Sequence, residues 1–294
     1  MTSKADYRPR RSCLYMPGAN ARALEKAASL PADTLILDLE DAVAPDAKEQ
    51  ARSVIMETVS SRPYGNREVI IRINGLDTPW GYDDLAMAAK AGADGILVPK
   101  VVSAEQVEEL DTALSRADAA ADMGLWVMIE MPLAVLNISD IAAASQTSRL
   151  SGFVMGTNDL AKEMNAIATA DRAAFQVALA LTLTAARAYG LVAIDGVYND
   201  FRDEAGLIAE CEQGRMMGFD GKTLIHPTQL DATNRVYSPD PAEVAEARAI
   251  IEAFELPENA GKGVIKLDGK MVELLHLEQA KRLVAIDAMQ SALS

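Results

Sequence analysis

Residues Thr34–Val43 read TLILDLEDAV. The run Thr34–Leu39 is short and apolar nearly throughout, and a cluster of acids, Asp38, Glu40 and Asp41, gathers at its end. A strand with one solvated face would alternate apolar and polar residues. A run that stays apolar marks a parallel strand covered on both faces, with its polar groups collected where it stops. The same form recurs at Ser12–Met16, Glu68–Ile73, Gly95–Pro99, Leu125–Glu130, Gly152–Met155, Leu191–Asp195 and Gly221–Ile225.

Helical patterns separate the runs: Ala19–Ser29, Ala47–Val59, Trp80–Ala91, Ala104–Ala121, Val135–Ala144, Arg172–Tyr189, Asp203–Met217 and Thr228–Val236. This alternation predicts an α/β fold, a (β/α)8 TIM barrel, over residues 1–236. A doubly wound open sheet is the alternative. The strand count favours the barrel, and so does the position of Asp38, Glu40, Arg72, Lys100, Glu130, Asp159 and Asp195. All fall at or just after the C-terminal ends of the runs, where barrel active sites are built. After Val236 the texture changes, with Pro239 and Pro241, an amphipathic stretch Glu243–Phe254, a hairpin signal around Asp268-Gly269 and a last helix Leu277–Ser291. Residues 237–294 therefore read as a C-terminal helical arm that packs on its own barrel or reaches a neighbour.

Half of the 294 residues are apolar, enough for a large core, and the net charge is −15. That sign argues against a nucleic-acid partner, which needs Lys and Arg for phosphates. Cys13 and Cys211 offer no disulfide framework and fit buried thiols in a reducing compartment. The N-terminal MTSKADYRPRRSCLYMPG lacks the apolar core of a signal peptide, and no uncharged apolar run is long enough to cross a membrane. The cytoplasm is the expected location.

Glu130 ends WVMIE and Asp159 stands in GTNDL. Two converging carboxylates with open positions suit Mg²⁺, with Mn²⁺ as the alternative ion; the competing reading is that Asn158 or Asp159 caps the following helix. The acids Asp38, Glu40 and Asp41 require a cation nearby or a solvated loop. Arg72, in VIIRINGLDTP, needs a partner, either those acids as a structural ion pair or a substrate carboxylate or enolate oxygen. Lys100 in VPK is a similar but weaker candidate. His226 and His276 are the only histidines and read as structural; with no catalytic serine nearby they form no hydrolase triad. No phosphate-binding glycine loop is present.

The segments YMPGAN, LDLEDAV, RINGLDTP, VPK, IEMP, GTNDLA and GFDGKTLIHPTQ, in this order, resemble the HpcH/HpaI aldolase–citrate lyase β-subunit (CitE-like) family. The similarity continues through GKMVE and is nearest to its malyl-CoA lyases and malyl-CoA thioesterases. The resemblance implies that Glu130 and Asp159 hold Mg²⁺ and that Arg72 binds substrate and stabilises a thioester enolate. It implies that Tyr15 and Lys26 line the CoA site; Lys100 remains the candidate for substrate binding read from its strand-end position. The resemblance also implies that Glu40 and Asp41 stand near the metal-bound waters. It further implies a homotrimer or hexamer, in which the arm covers a neighbour's active site and supplies an acid. That acid, commonly Asp, is Glu273 here; Asn20 replaces a frequent Arg, and Met131 a usual Ser or Thr.

The expected activity is Mg²⁺-dependent cleavage or formation of a carbon–carbon bond in a malyl-CoA-type 3-hydroxyacyl-CoA, giving acetyl-CoA and a 2-oxo acid such as glyoxylate. The alternatives are hydrolysis of (3S)-malyl-CoA on the same scaffold, a citrate lyase β subunit taking its substrate from an acyl-carrier protein, and a non-catalytic CoA-ester-binding protein.

Overall fold

The computed structural model describes residues 8–293, with side chains to residue 290. The first seven residues of the N-terminal segment read above lie outside the described residues. Eight parallel strands close into a barrel: β1 Ser12–Pro17, β2 Thr34–Asp38, β3 Glu68–Arg72, β4 Gly95–Val98, β5 Gly124–Ile129, β6 Leu150–Met155, β7 Val192–Asp195 and β8 Gly221–Leu224. Each pairs with its sequence neighbour, and β8 returns to β1 through Leu14 and Leu224. Helices connect successive strands. The fold is the (β/α)8 barrel expected from the sequence, and the helical arm is present.

The alternation of side chains along each strand sorts inside from outside. Cys13, Ile36, Ile70, Leu97, Trp126, Met128, Val154 and Ile194 fill the barrel as one buried cluster. Below them Arg10 donates to both oxygens of Glu68 at 2.6 Å and lies 5.3 Å from the centre of the Trp126 ring. In the wall between strands and helices sits a second ionic group. Arg172 donates to both oxygens of Asp195, and Lys222, fully buried, bonds Asp195 and Glu210.

Several helix limits depart from the sequence expectation. The helix expected over Ala104–Ala121 stops at Arg116, because the chain turns through a left-handed residue at Asp118 (φ 55°). Val135–Ala144 divides into Pro132–Leu136 and Ile138–Ala143, and between them the Asn137 side chain bonds the Val102 carbonyl. Arg172 does not open a helix; it is left-handed (φ 54°) and turns into the barrel wall. A short helix absent from the expected series, Thr157–Glu163, follows β6.

The described residues divide into two compact units, Arg10–Arg235 and a second made of residues 8–9 with residues 236–293. In the second, the helix Pro241–Glu255 is capped by a reciprocal Asp240–Glu243 box and packs along Leu274–Leu293. A hairpin of β9 Val264–Leu267 and β10 Lys270–Glu273 turns at Asp268-Gly269, both at positive φ as a two-residue hairpin loop requires. Among the described residues no helix is long and apolar enough to cross a membrane.

Candidate active site

The C-terminal ends of the strands enclose a cavity of about 420 Å³ lined by Tyr15, Asp38, Asp41, Arg72, Met128 and Asp159, among others. Its wall is polar on the β2–β3 side and again at Thr157, Asn158 and Asp159 after β6, with Met128, Met155, Val197 and Ile225 as apolar surface between them.

Arg72 ends β3 beside Asp38 at the end of β2, and the register pairs them directly. Asp38 is buried and takes the guanidinium in a two-point grip, 2.7 Å to Nε and 2.6 Å to Nη2. Its oxygens also accept the N–H groups of Glu40 and Ala42, which folds the LEDA turn onto the strand end. Arg72 Nη1 reaches Glu40 at 2.8 Å and Asp41 at 3.3 Å, and Tyr15 lies with its ring centre 4.7 Å from the guanidinium carbon. Burial opposes the charge on Arg72, and Tyr15, Asp38 and Glu40 outweigh it, holding the guanidinium pKa well above its ordinary value. The ion pair with the strand-2 acids is thus formed, and the arginine still faces the cavity.

Glu130 follows β5 and is 1 % exposed. Burial pushes its pKa up to about 7; the charges of Asp159 and Glu40 add to this, against the Lys100 N–H and Arg72. Asp159 occupies the first turn of Thr157–Glu163, whose N-cap is Gly156 without any side-chain cap. Capping by Asn158 or Asp159 is therefore not the arrangement; Asn158 instead exchanges two hydrogen bonds with Asn199. Glu130 and Asp159 stand close enough to repel one another, a repulsion that a divalent cation relieves. Among the described residues no three His, Cys, Asp or Glu side chains form a ligand group. Two carboxylates nevertheless fit Mg²⁺, which keeps several waters and takes its remaining oxygens from substrate.

Gly156 explains how Glu130 finds room. Its N–H bonds the Ile129 carbonyl, and a Cβ there would collide with Cβ and Oε2 of Glu130. Gly156→Ala should displace the carboxylate, lowering turnover by about 100-fold and stability by about 1–3 kcal/mol. Steady-state kinetics and thermal unfolding of this variant check both.

The remaining sequence candidates are scattered over the molecule. Glu40 is buried against Arg72 and Lys100, and burial, reinforced by Asp41, raises its pKa. Lys100 does not line the cavity: its N–H donates to Glu130 at 2.8 Å and its Nζ to Glu40 at 3.1 Å. Lys26 is exposed on the helix Ala21–Ala27 and is not among the cavity-lining residues. Glu273 belongs to the second unit, where it ends β10, is exposed and donates its N–H to His276 Nδ1. His226 caps the turn Pro227–Gln229 and stacks on Phe201 with ring centres 4.5 Å apart. Asp195, at the strand-end face like the others, points into the wall and takes no part in the cavity.

Sequence reasoning passed over Asp38 as a site member, Gly156 and the left-handed turn at Lys100. Asp38 was legible as one of three strand-end acids; the other two depend on contacts with Glu130 that only the fold creates.

A barrel with an arginine clamped by acids and a carboxylate pair at the strand ends defines an acid-lined (β/α)8 enzyme class. Residues 11–227 match the HpcH/HpaI aldolase/citrate lyase family, and the chain belongs to it. The chain is 53 % identical to the (3S)-malyl-CoA thioesterase of Cereibacter sphaeroides, over 94 % of each chain. It is 36 % identical to the citrate lyase subunit beta of Escherichia coli, over 93 % of this chain and 92 % of that one. In structure it is similar to CitE of Mycobacterium tuberculosis in complex with magnesium, acetoacetate and coenzyme A. The TM-score is 0.76 at 28 % identity, covering 95 % of this chain and 98 % of that one.

Proposed function

We propose that this chain is a Mg²⁺-dependent thioesterase for (3S)-malyl-CoA or a closely related 3-hydroxyacyl-CoA carrying a distal carboxylate. The observation that carries hydrolysis ahead of the carbon–carbon cleavage expected from the sequence is the 53 % identity, over 94 % of each chain, with a thioesterase of that substrate. The cavity supports the substrate class. It offers Asp159 for a cation, with Glu130 buried behind the wall beside it, a buried arginine for an oxyanion and apolar side chains for the acyl chain.

In this reading Glu130 and Asp159 hold Mg²⁺, which, when bound, polarises the substrate oxygens as a Lewis acid. Asp38 fixes the Arg72 guanidinium so that it meets the thioester oxygen as negative charge develops there. Glu273, brought by the arm of a neighbouring subunit, takes a proton from water as the water oxygen adds to the thioester carbon. The carbon–sulfur bond then breaks, CoA leaves as thiolate and collects a proton, and malate remains. Arg72 neutralises the tetrahedral oxyanion between the two events. A homotrimer or hexamer would place the arm accordingly.

A second reading is the lyase. It is favoured by the citrate lyase subunit beta relative and by the CitE complex with magnesium, acetoacetate and coenzyme A. In that case the acyl group is held by CoA or by an acyl-carrier protein. Purified protein incubated with (S)-malyl-CoA and Mg²⁺, with a chelator control, separates the two. Free thiol with malate and no glyoxylate is the expected result; glyoxylate without free thiol would replace the thioesterase with the lyase.

A further inference from the structure

Lys100 is a non-glycine residue in the left-handed region, with φ of 56°. Such a backbone is costly and persists where the surroundings over-determine it, which makes it a pointer to function. It stands one residue beyond the end of the VP step after β4, between two carboxylates. The turn aims its N–H at Glu130 Oε1, 2.8 Å away, and its side chain runs to Glu40 Oε1 at 3.1 Å. The other oxygen of Glu40 is held by Arg72 Nη1 at 2.8 Å. Glu40 is thus tied at both oxygens, whereas Glu130 receives one backbone donor.

We propose that Lys100 is a positioning residue that fixes the number of carboxylates available to a divalent cation at two, turning Glu130 toward it and holding Glu40 away. The inference rests on the two-carboxylate reading of Glu130 and Asp159. Three acids near one cation would fill coordination positions that the substrate must occupy, since a hard cation with six oxygen positions accepts substrate only at those left open. The ammonium of Lys100 and the guanidinium of Arg72 neutralise Glu40 in place. The backbone N–H of Lys100 takes one lone pair of Glu130 and leaves its second oxygen unclaimed by that bond.

The consequence runs against the usual effect of damaging a site. Loss of the Lys100 ammonium frees Glu40, so cation affinity rises while turnover falls. The test is the dissociation constant of Mn²⁺, by electron paramagnetic resonance and without substrate, for the wild type, Lys100→Met, Lys100→Gly, Glu40→Gln and Lys100→Met with Glu40→Gln. Lys100→Gly keeps the N–H and adopts the left-handed backbone freely, so it reports on the side chain even if Lys100→Met folds poorly. Both single Lys100 variants should bind Mn²⁺ about five- to tenfold more tightly, the effect of one nearby charge at intermediate screening. The double variant should return to within about twofold of the wild type, because the carboxylate responsible is gone. In turnover, Lys100→Gly should lose kcat with KM for the CoA ester little changed.

Unchanged or weaker Mn²⁺ binding in both Lys100 variants overturns the proposal, and so does a gain that survives in the double variant. A defect confined to KM would assign Lys100 to substrate binding instead. A wild-type protein that binds no Mn²⁺ overturns the two-carboxylate reading itself, and this proposal with it.

Discussion

Glu130→Gln should make the metal-free protein more stable at pH 8 while abolishing turnover. Burial raises the folded pKa of Glu130 from the ordinary 4.5 to about 7. The sign is the reverse of the usual carboxylate case. Between those values the folded chain binds more protons than the unfolded one, so stability falls as pH rises through the window and levels off above 7. At pH 8 the ionised, buried carboxylate costs about 3 kcal/mol relative to its protonated form. Glutamine keeps an oxygen for the Lys100 N–H and carries no charge, so the cost disappears. Thermal unfolding in chelator should show the variant above the wild type at pH 8, with the two curves converging as the pH falls below about 4.5. A variant less stable than the wild type at pH 8 would refute the electrostatic account. Mg²⁺-dependent turnover that survives in the same variant would remove Glu130 from the metal site.

Asp38→Ala should have the largest effect on stability of any single change at the strand ends. Asp38 is 1 % exposed and accepts from Arg72 twice, from Glu40 N–H and from Ala42 N–H. Its removal leaves a buried guanidinium with only Glu40 and the exposed Asp41, and unpins the turn that carries both. Breaking a buried pair by deleting one partner costs about 3–5 kcal/mol. Equilibrium denaturation should show that loss, with Asp38→Asn intermediate because an amide oxygen still serves the turn. A loss below about 1 kcal/mol would mean that Arg72 finds other partners at little cost.

The barrel was legible because its strands are buried on both faces. Runs such as LILD and VIIR have no competing periodicity, and their polar ends mark the mouth. The place of the candidate site was legible at the same strand ends: Tyr15, Asp41, Arg72 and Asp159 line the cavity, whereas Glu130, Glu40, Lys100 and Lys26 do not. What the sequence concealed lies in contacts at long separation. Asp195 reads as one more strand-end acid, yet Arg172 reaches it across 23 residues and Lys222 across 27 and together they draw it into the wall. Lys100 reads as a mouth cation, yet its backbone conformation, which no residue type announces, makes it a holder of carboxylates. Helix Thr157–Glu163 is seven residues long and buries only Leu160, too little apolar signal for a periodic pattern.

The ionic group in the barrel wall has a consequence for how the protein meets its solvent. Arg172, Asp195 and Lys222 are buried, while the chain as a whole carries a net charge of −15. Counter-ions in the medium gather over the acidic exterior and weaken its self-repulsion, but they do not reach a pair sealed between strand and helix. Ionic strength therefore acts on the skin of this molecule and not on its frame: dissolved salt eases the repulsion between exposed acids and leaves the bonds that tie β7 to β8 as strong as before.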